Sequence, residues 1–166
     1  KVVVLGGGNV GLNAALLASA LGANVEIFDI NLNRLREIDL MFHGRITTRA
    51  SSRGSISSAI KNADAVIGAV LVPGGRAPIV VDEGMVKTMM PGSVIVDTAI
   101  DQGGCIATSH ETSHTVPTYV LHDVVHYAVG NMPGAVSHTS TYALTNATLP
   151  FVVAIATLGA EEAIAN

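Results

Sequence analysis

The sequence predicts an α/β fold, a doubly wound, mostly parallel sheet with a C-terminal helical segment. Three observations lead there. Short β-branched runs alternate with stretches of helical apolar spacing, in the order βαβαβαβαβ over the first 96 residues. The run ADAVIGAVL, residues 63–71, is apolar on both faces, as a central parallel strand must be when helices cover both sides of the sheet. From residue 141 onward the chain reads as one or two apolar helical segments, with Pro150 at a start or a kink.

The elements follow in order. Residues 2–5 are a short β-branched run closed by glycines, and residues 10–21 carry helical spacing through Leu12, Ala15, Leu16 and Ala20. Gly22 suits a helix end, and residues 25–28 resume as a strand that stops at Asp29. Leu32, Leu35, Ile38 and Phe42 then share one helix face. A weak strand is expected over 45–48 and a short helix over 56–61, before the buried run at 63–71. Pro73, Gly74, Gly75 and Pro78 mark a loop. A helix over 82–90 is stopped by Pro91-Gly92, and 94–96 is the next buried strand. From 98 to 116 no period is evident, and a stretch of that length inside a compact domain is more often functional than idle. TYVLHDVVHYAVG, residues 118–130, reads as a hairpin turning at His122-Asp123 and ending at Gly130-Asn131.

Composition narrows the functions open to such a fold. The 166 residues suffice for one sizeable core, and 49% hydrophobic against 13% charged residues sets the chain far from the disordered class. A net charge of −4 with nine Lys and Arg gives no footprint for nucleic acid, which demands clustered cations. No uninterrupted apolar run reaches about 18 residues, so no membrane partner is expected. The single cysteine, Cys105, excludes an internal disulfide and fits a reducing compartment, which makes the cytoplasm the expected location. The chain opens directly on a core strand at Lys1, which reads as a piece excised from something longer.

The chemistry starts at VLGGGNVG. Gly6, Gly8 and Gly11 form G-x-G-x-x-G between a strand and a helix. One glycine permits the tight turn, one lets backbone approach a pyrophosphate, and one lets helix pack on strand. Asn9 and Val10 complete the helix start, whose unpaired N–H groups face the anion. Asp29, 18 residues past the last glycine at the end of the second strand, stands where a carboxylate accepts both ribose hydroxyls. That carboxylate repels a 2′-phosphate, so NAD is expected over NADP. Arg34 lies near enough to complicate this, because an arginine there is how NADP sites accommodate the phosphate. The competing reading makes the glycines turn punctuation and Asp29 a helix cap.

Asp101 and Asn131 each follow a buried strand at the sheet edge where ligands of open parallel sheets bind. Both are candidate catalytic residues. They are expected to meet across one cleft on the nicotinamide side, with Gly103-Gly104 and Gly130 allowing close backbone approach. The alternative for Asp101 is the cap of an irregular turn.

Together GGGNVGLNAA, FDINLNRLREID, VDTAIDQGGC, VVHYAVGNMPGAV and TSTYALTNAT resemble the cofactor domain of the alanine dehydrogenase and pyridine nucleotide transhydrogenase family, and its alanine dehydrogenases more than its transhydrogenases. The resemblance spans essentially the whole chain. It implies a Rossmann-type NAD-binding domain over residues 1–137 and, over 138–166, a connecting helix leading back to an absent substrate domain. The activity implied is reversible oxidative deamination of L-alanine to pyruvate and ammonium, with hydride passing to NAD, in a homo-hexamer. It also implies roles: Asp101 at the reacting end, Asn131 and Met132 beside the nicotinamide, Asp29 on the adenosine ribose, Arg34 and Ser51 near the adenine, and Leu71 among the cofactor contacts. Ser137-His138 departs from the Pro-Arg expected before TST, which bears on hinge contacts.

Other residues carry less. His122 and His126, four apart on a strand, are about 13 Å from one another at ~3.3 Å per residue and do not chelate together unless the hairpin bends. His110 and His114 lack a helical turn, so no metal is expected. His126 is expected as a hydrogen-bonded histidine at the sheet. Cys105 reads as a small buried thiol. Arg76 faces either the cofactor or solvent, and Glu161-Glu162 reads as a solvated helix face.

Overall fold

The computed structural model describes residues 1–72 and 74–165. Pro73, expected in the loop after the fourth strand, lies outside the described residues. The chain divides into two units, Lys1–Gly130 and Asn131–Asn166.

The first unit runs β1 (Val2–Leu5), α1 (Asn9–Ala20), β2 (Val25–Asp29), α2 (Leu32–Phe42), β3 (Thr47–Ala50), α3 (Arg53–Ile60), β4 (Ala65–Gly68), α4 (Glu83–Val86), β5 (Val94–Asp97), β6 (Thr118–Leu121) and β7 (Val124–Tyr127). Its sheet has the order β3-β2-β1-β4-β5-β7-β6, parallel throughout except for the antiparallel β6–β7 hairpin. This is the doubly wound Rossmann-type architecture expected. Strand order reverses between β1 and β4, so their carboxyl ends flank a crevice.

Alternation along the strands builds two cores. Val3, Leu5, Phe28, Val66 and Ile95 point to one face, where Ile56, Ile60, Met85 and Val86 of α3 and α4 cover them. Val4, Val25 and Ile27 point to the other, covered by Ala15 of α1 and by Ile38 and Phe42 of α2. Both layers are buried, and the sheet between them is paired in the register of its strands.

Several boundaries differ from the sequence expectation, each for a local reason. The weak strand is Thr47–Ala50, two residues later than expected, because Ile46 turns into the core first. α3 starts at Arg53 instead of residue 56, since Ser52 and Ser55 form a reciprocal capping box in front of it. The helix expected over 82–90 stops at Val86: Thr88 and Met89 donate to Met85 and Val86, i→i+3 bonds that tighten the turn, and the Thr88 hydroxyl takes the Met85 carbonyl at 2.7 Å. The hairpin turns at His122-Asp123 as expected, with both residues left-handed at φ 55° and 59°. The unperiodic stretch after β5 holds one 3₁₀ turn, Ile100–Gln102, and two isolated bridges, Val81 to Ile106 and Thr112 to Val129.

The second unit holds a 3₁₀ turn, Met132–Val136, then α5 (Ser137–Leu158) and α6 (Ala160–Ala165). α5 begins at Ser137, a turn earlier than expected, and runs through Pro150, which sits in its interior and not at a start. The helical stretch Met132–Leu158 is, by length and composition alone, long and apolar enough to cross a membrane. It contains no uninterrupted apolar run of that length because Thr, Ser and Asn punctuate it.

Candidate dinucleotide site

β1 ends at Leu5, and the chain must leave the sheet at once to enter α1. Gly6 does this with φ 104°, and a Cβ there would lie 2.4 Å from the Ala69 carbonyl oxygen at the end of β4. At Gly11 a Cβ would lie 1.9 Å from the Gly6 carbonyl oxygen. These two glycines answer demands of the protein itself. Gly8 does not: nothing lies within 4 Å of where its Cβ would be. The space in front of it is open.

Gly8 is also the N-cap of α1, and no side chain caps that end. Asn31, Ser52 and Asp82 each cap the helix that follows them. The amino end of α1, with Asn9 and Val10 in its exposed first turn, therefore keeps free N–H donors and a partial positive charge at the crevice.

Asp29 closes the loop from the side. Its Oδ2 accepts the Gly7 N–H at 2.7 Å and its Oδ1 accepts the Asn31 N–H at 2.8 Å. Arg34 Nε donates to the Gly7 carbonyl at 2.7 Å, and its Nη1 donates to Glu37 Oε2 at 3.0 Å. One residue, Gly7, is held at both its N–H and its carbonyl, by an acid and a base from the two ends of the same β2–α2 junction. Each oxygen of Asp29 retains lone pairs for further donors.

A cavity of about 470 Å³ lies at the crevice, lined on one side by Gly6 and Gly8, at its acidic corner by Asp29 and Ser51, and along β4's exit by Ala69 and Leu71. Ser51 is set there by its N–H bond to the Asp29 carbonyl at 2.9 Å. The lining is mostly apolar with few polar groups, the pattern of a small-molecule site. Of the residues expected from sequence, Gly6, Gly8, Asp29, Ser51 and Leu71 thus meet, Gly11 supports the turn, and Arg34 holds the loop. Asp101 lies in the 3₁₀ turn after β5, exposed and outside that lining. Asn131, left-handed at φ 52°, and Met132 belong to the second unit.

Sequence reading passed over Asp97. It is the last residue of β5, fully buried, and accepts from the N–H groups of Ala99, Cys105 and Ile106 at 3.0 to 3.1 Å. The signal was present in VIVD: a carboxylate inside an apolar strand requires partners, and the glycines that follow let backbone supply them. Cys105 donates its thiol to Asp97 Oδ1 at 3.5 Å. Burial first, and the neighbouring carboxylate second, push that thiol up to about 12.

His110, His122 and His126 have structural partners. His126 is fully buried, with Nδ1 at 3.0 Å from the Val124 carbonyl and Nε2 at 2.8 Å from the Thr108 hydroxyl. The carbonyl only accepts, so Nδ1 carries the proton and Nε2 accepts from Thr108. Burial lowers its pKa. Tyr119 stacks between His110 and His126. His122 bonds Glu83 at 2.9 Å.

The family model for the alanine dehydrogenase/PNT C-terminal domain matches residues 1–166. The chain belongs to this family. Alanine dehydrogenase of Bacillus subtilis is 55% identical over 100% of the chain, which covers 44% of that relative. A solved L-alanine dehydrogenase matches 96% of the chain, and 44% of its own, with a TM-score of 0.88 at 56% identity. A transhydrogenase from Sinorhizobium meliloti matches 86% of the chain and 40% of its own, with a TM-score of 0.76 at 27% identity. The chain spans less than half the length of each.

The residues present fit a nicotinamide dinucleotide. The decisive observation is Gly8, whose missing side chain nothing in the protein requires, set before an uncapped helix end and beside an acid with spare acceptors. A glycine loop before an uncapped helix end suits a pyrophosphate, whose charge its N–H groups meet.

Proposed function

We propose that this domain is the dinucleotide-holding half of an NAD-dependent L-alanine dehydrogenase, which interconverts L-alanine with pyruvate and ammonium. The observation that carries this reading is the identity of 55 and 56% to alanine dehydrogenases against 27% to the transhydrogenase, over a site whose glycine loop is complete. The bound nicotinamide supplies hydride transfer. The protein's part is to hold and orient it.

In this reading the α1 amino end, through Gly8, Asn9 and Val10, binds the pyrophosphate, and Asp29 binds the adenosine ribose hydroxyls. Ser51 and Arg34 stand toward the adenine and Leu71 lies along the cofactor. NAD is selected over NADP because a 2′-phosphate would face the Asp29 carboxylate, while the nearest guanidinium, Arg34, is committed to Gly7 and Glu37. Asp101 serves the reacting end, where its charge favours the oxidised ring, and Asn131 with Met132 serves beside the nicotinamide.

Amino-acid binding, and an acid/base for the imine and carbinolamine steps, are assigned to a further domain. Residues 1–137 form the cofactor domain and 138–166 the connecting helix, whose apolar surface packs against protein and not lipid. The enzyme works in the cytoplasm as a homo-hexamer. The 166-residue chain alone binds NAD weakly and turns nothing over. The test is L-alanine-dependent reduction of NAD by the full-length protein. Tight NADH binding with no reduction by any amino acid would replace this reading with a transhydrogenase-like or regulatory module.

A further inference from the structure

We propose that Asp97 is a positioning residue for the chemistry, fixing the loop that presents Asp101; this rests on the alanine dehydrogenase reading.

Asp97 is 0% exposed, and among the described residues its partners are backbone N–H groups and the Cys105 thiol, with no ion pair. Placing a carboxylate there is costly unless several donors converge on it, and an apolar residue would end the strand without that cost. The donors come from both sides of one short loop. Ala99 lies just before the 3₁₀ turn Ile100–Gln102, while Cys105 and Ile106 lie just after it. A single carboxylate therefore ties the two feet of the loop together, with Asp101 between them.

The rest of the loop is built to that tether. Gly103 and Gly104 are left-handed, at φ 91° and 75°, and a Cβ on Gly104 would stand 2.9 Å from Asp97 Oδ2. A Cβ on Gly68, at the end of β4, would stand 2.5 Å from Cys105 Sγ. Within the loop Gly103 donates to the Ile100 carbonyl at 2.8 Å and Gly104 to the Ala99 carbonyl at 3.0 Å. From outside, Ala77 N–H reaches the Gln102 carbonyl at 3.1 Å and Arg76 packs on Gly103. The buried Asp97 holds the frame, and the exposed Asp101 is what the frame displays. Such locking by partners behind a functional group is how a side chain is kept within a fraction of an ångström of a working geometry.

Asp97→Asn tests this without changing volume. Whichever way the carboxamide lies, its NH₂ meets at least one backbone N–H, donor against donor, and one foot of the loop is released. The experiment is a double-mutant cycle in the full-length enzyme: the unsubstituted protein, Asp97→Asn, Asp101→Asn and the double variant, each measured for kcat and KM with pyruvate and ammonium and for the Kd of NADH. A displacement of about 1 Å at a reacting group costs up to about 100-fold, so Asp97→Asn lowers kcat by about 10- to 100-fold. The NADH Kd, set at the glycine loop and Asp29, changes by less than about threefold. In the Asp101→Asn background the same substitution lowers kcat by less than about threefold, because the group it positioned is gone.

A kcat within about twofold of the unsubstituted enzyme overturns the proposal, and so does an equal loss in both backgrounds, which is what a general structural defect gives. If Asp97→Asn does not fold, Gly104→Ala takes its place in the same cycle, with the same two criteria. Absence of turnover in the unsubstituted enzyme removes the alanine dehydrogenase reading, and the proposal with it. Turnover there with an unaffected Asp97 variant removes the proposal alone.

Discussion

Alanine at Gly8 and alanine at Gly11 separate what the glycine loop does for the protein from what it does for a ligand. At Gly11 the new Cβ would stand 1.9 Å from the Gly6 carbonyl oxygen, so reaching ordinary contact at about 3.4 Å moves helix from loop by about 1.5 Å. Both partners are backbone, and overpacking of this kind costs about 1–3 kcal/mol. At 2–4 °C per kcal/mol for a domain of this size, the thermal midpoint falls by roughly 2–12 °C. At Gly8 the new Cβ meets nothing. Alanine is a poorer N-cap than glycine, yet it restricts the unfolded chain, and these effects of about 1 kcal/mol oppose one another. The midpoint therefore stays within about 3 °C.

Binding reverses the pair's character. A methyl at Gly8 stands where the pyrophosphate must approach, and losing one charge-assisted hydrogen bond there, about 1.5–3 kcal/mol, raises the NADH Kd by about 10- to 150-fold. Circular dichroism melts of the chain, with NADH titrations followed by nucleotide fluorescence, read both quantities. A Gly8→Ala protein that binds NADH as tightly as the unsubstituted one refutes the assignment of this loop to the pyrophosphate. A Gly11→Ala protein of unchanged stability refutes the packing argument.

Three further outcomes follow from the same geometry. Asp29→Ser removes the carboxylate that a 2′-phosphate would face, and narrows the NADH-over-NADPH preference by about tenfold or more, read as the ratio of the two Kd values; an unchanged ratio contradicts the selector role. His126 is neutral when folded and its pKa is lowered by burial. The unfolded chain takes up a proton first, so stability is full above about pH 6.5, the ordinary histidine value, and declines as pH falls below it. His126→Gln flattens that decline in denaturant melts, and an equally steep profile in the variant contradicts the account. The Cys105 thiol, pushed up to about 12 and fully buried, stays unlabelled by aromatic disulfide reagents in the native state and reacts on unfolding. Labelling at the rate of a free thiol contradicts it.

Sequence periodicity revealed the doubly wound sheet because helices on both faces force the strands into near-continuous apolar runs, and the hairpin because two short runs flank His122-Asp123. The glycine loop and Asp29 were legible for a similar reason, since spacing alone ties them to a turn and a strand end. β3 was harder: it is an edge strand, three of its four residues are exposed, and only Ile46 before it marks the core. α4 was overlong in expectation because the apolar spacing continues through Met89, while i→i+3 bonds had already ended the helix. The loop after β5 was the least legible. Its order comes from one carboxylate, Asp97, bonding backbone groups up to nine residues away, and such bonds leave no period in a sequence. Asp101 was legible because it follows the apolar run just ahead of the two glycines. The acid that holds it is the buried one four residues earlier.

The proposed role of this domain is hydride transfer to and from NAD in the amination of pyruvate. It is tested most directly by NADH oxidation in the full-length protein with pyruvate and ammonium, run beside NADPH and beside 2-oxoglutarate. Rapid loss of NADH with pyruvate, dependent on ammonium, is expected, with little loss when NADPH or 2-oxoglutarate is used. Tight NADH binding without oxidation by any keto acid would contradict it, leaving a cofactor-binding module with Asp101 and Asn131 as contacts alone.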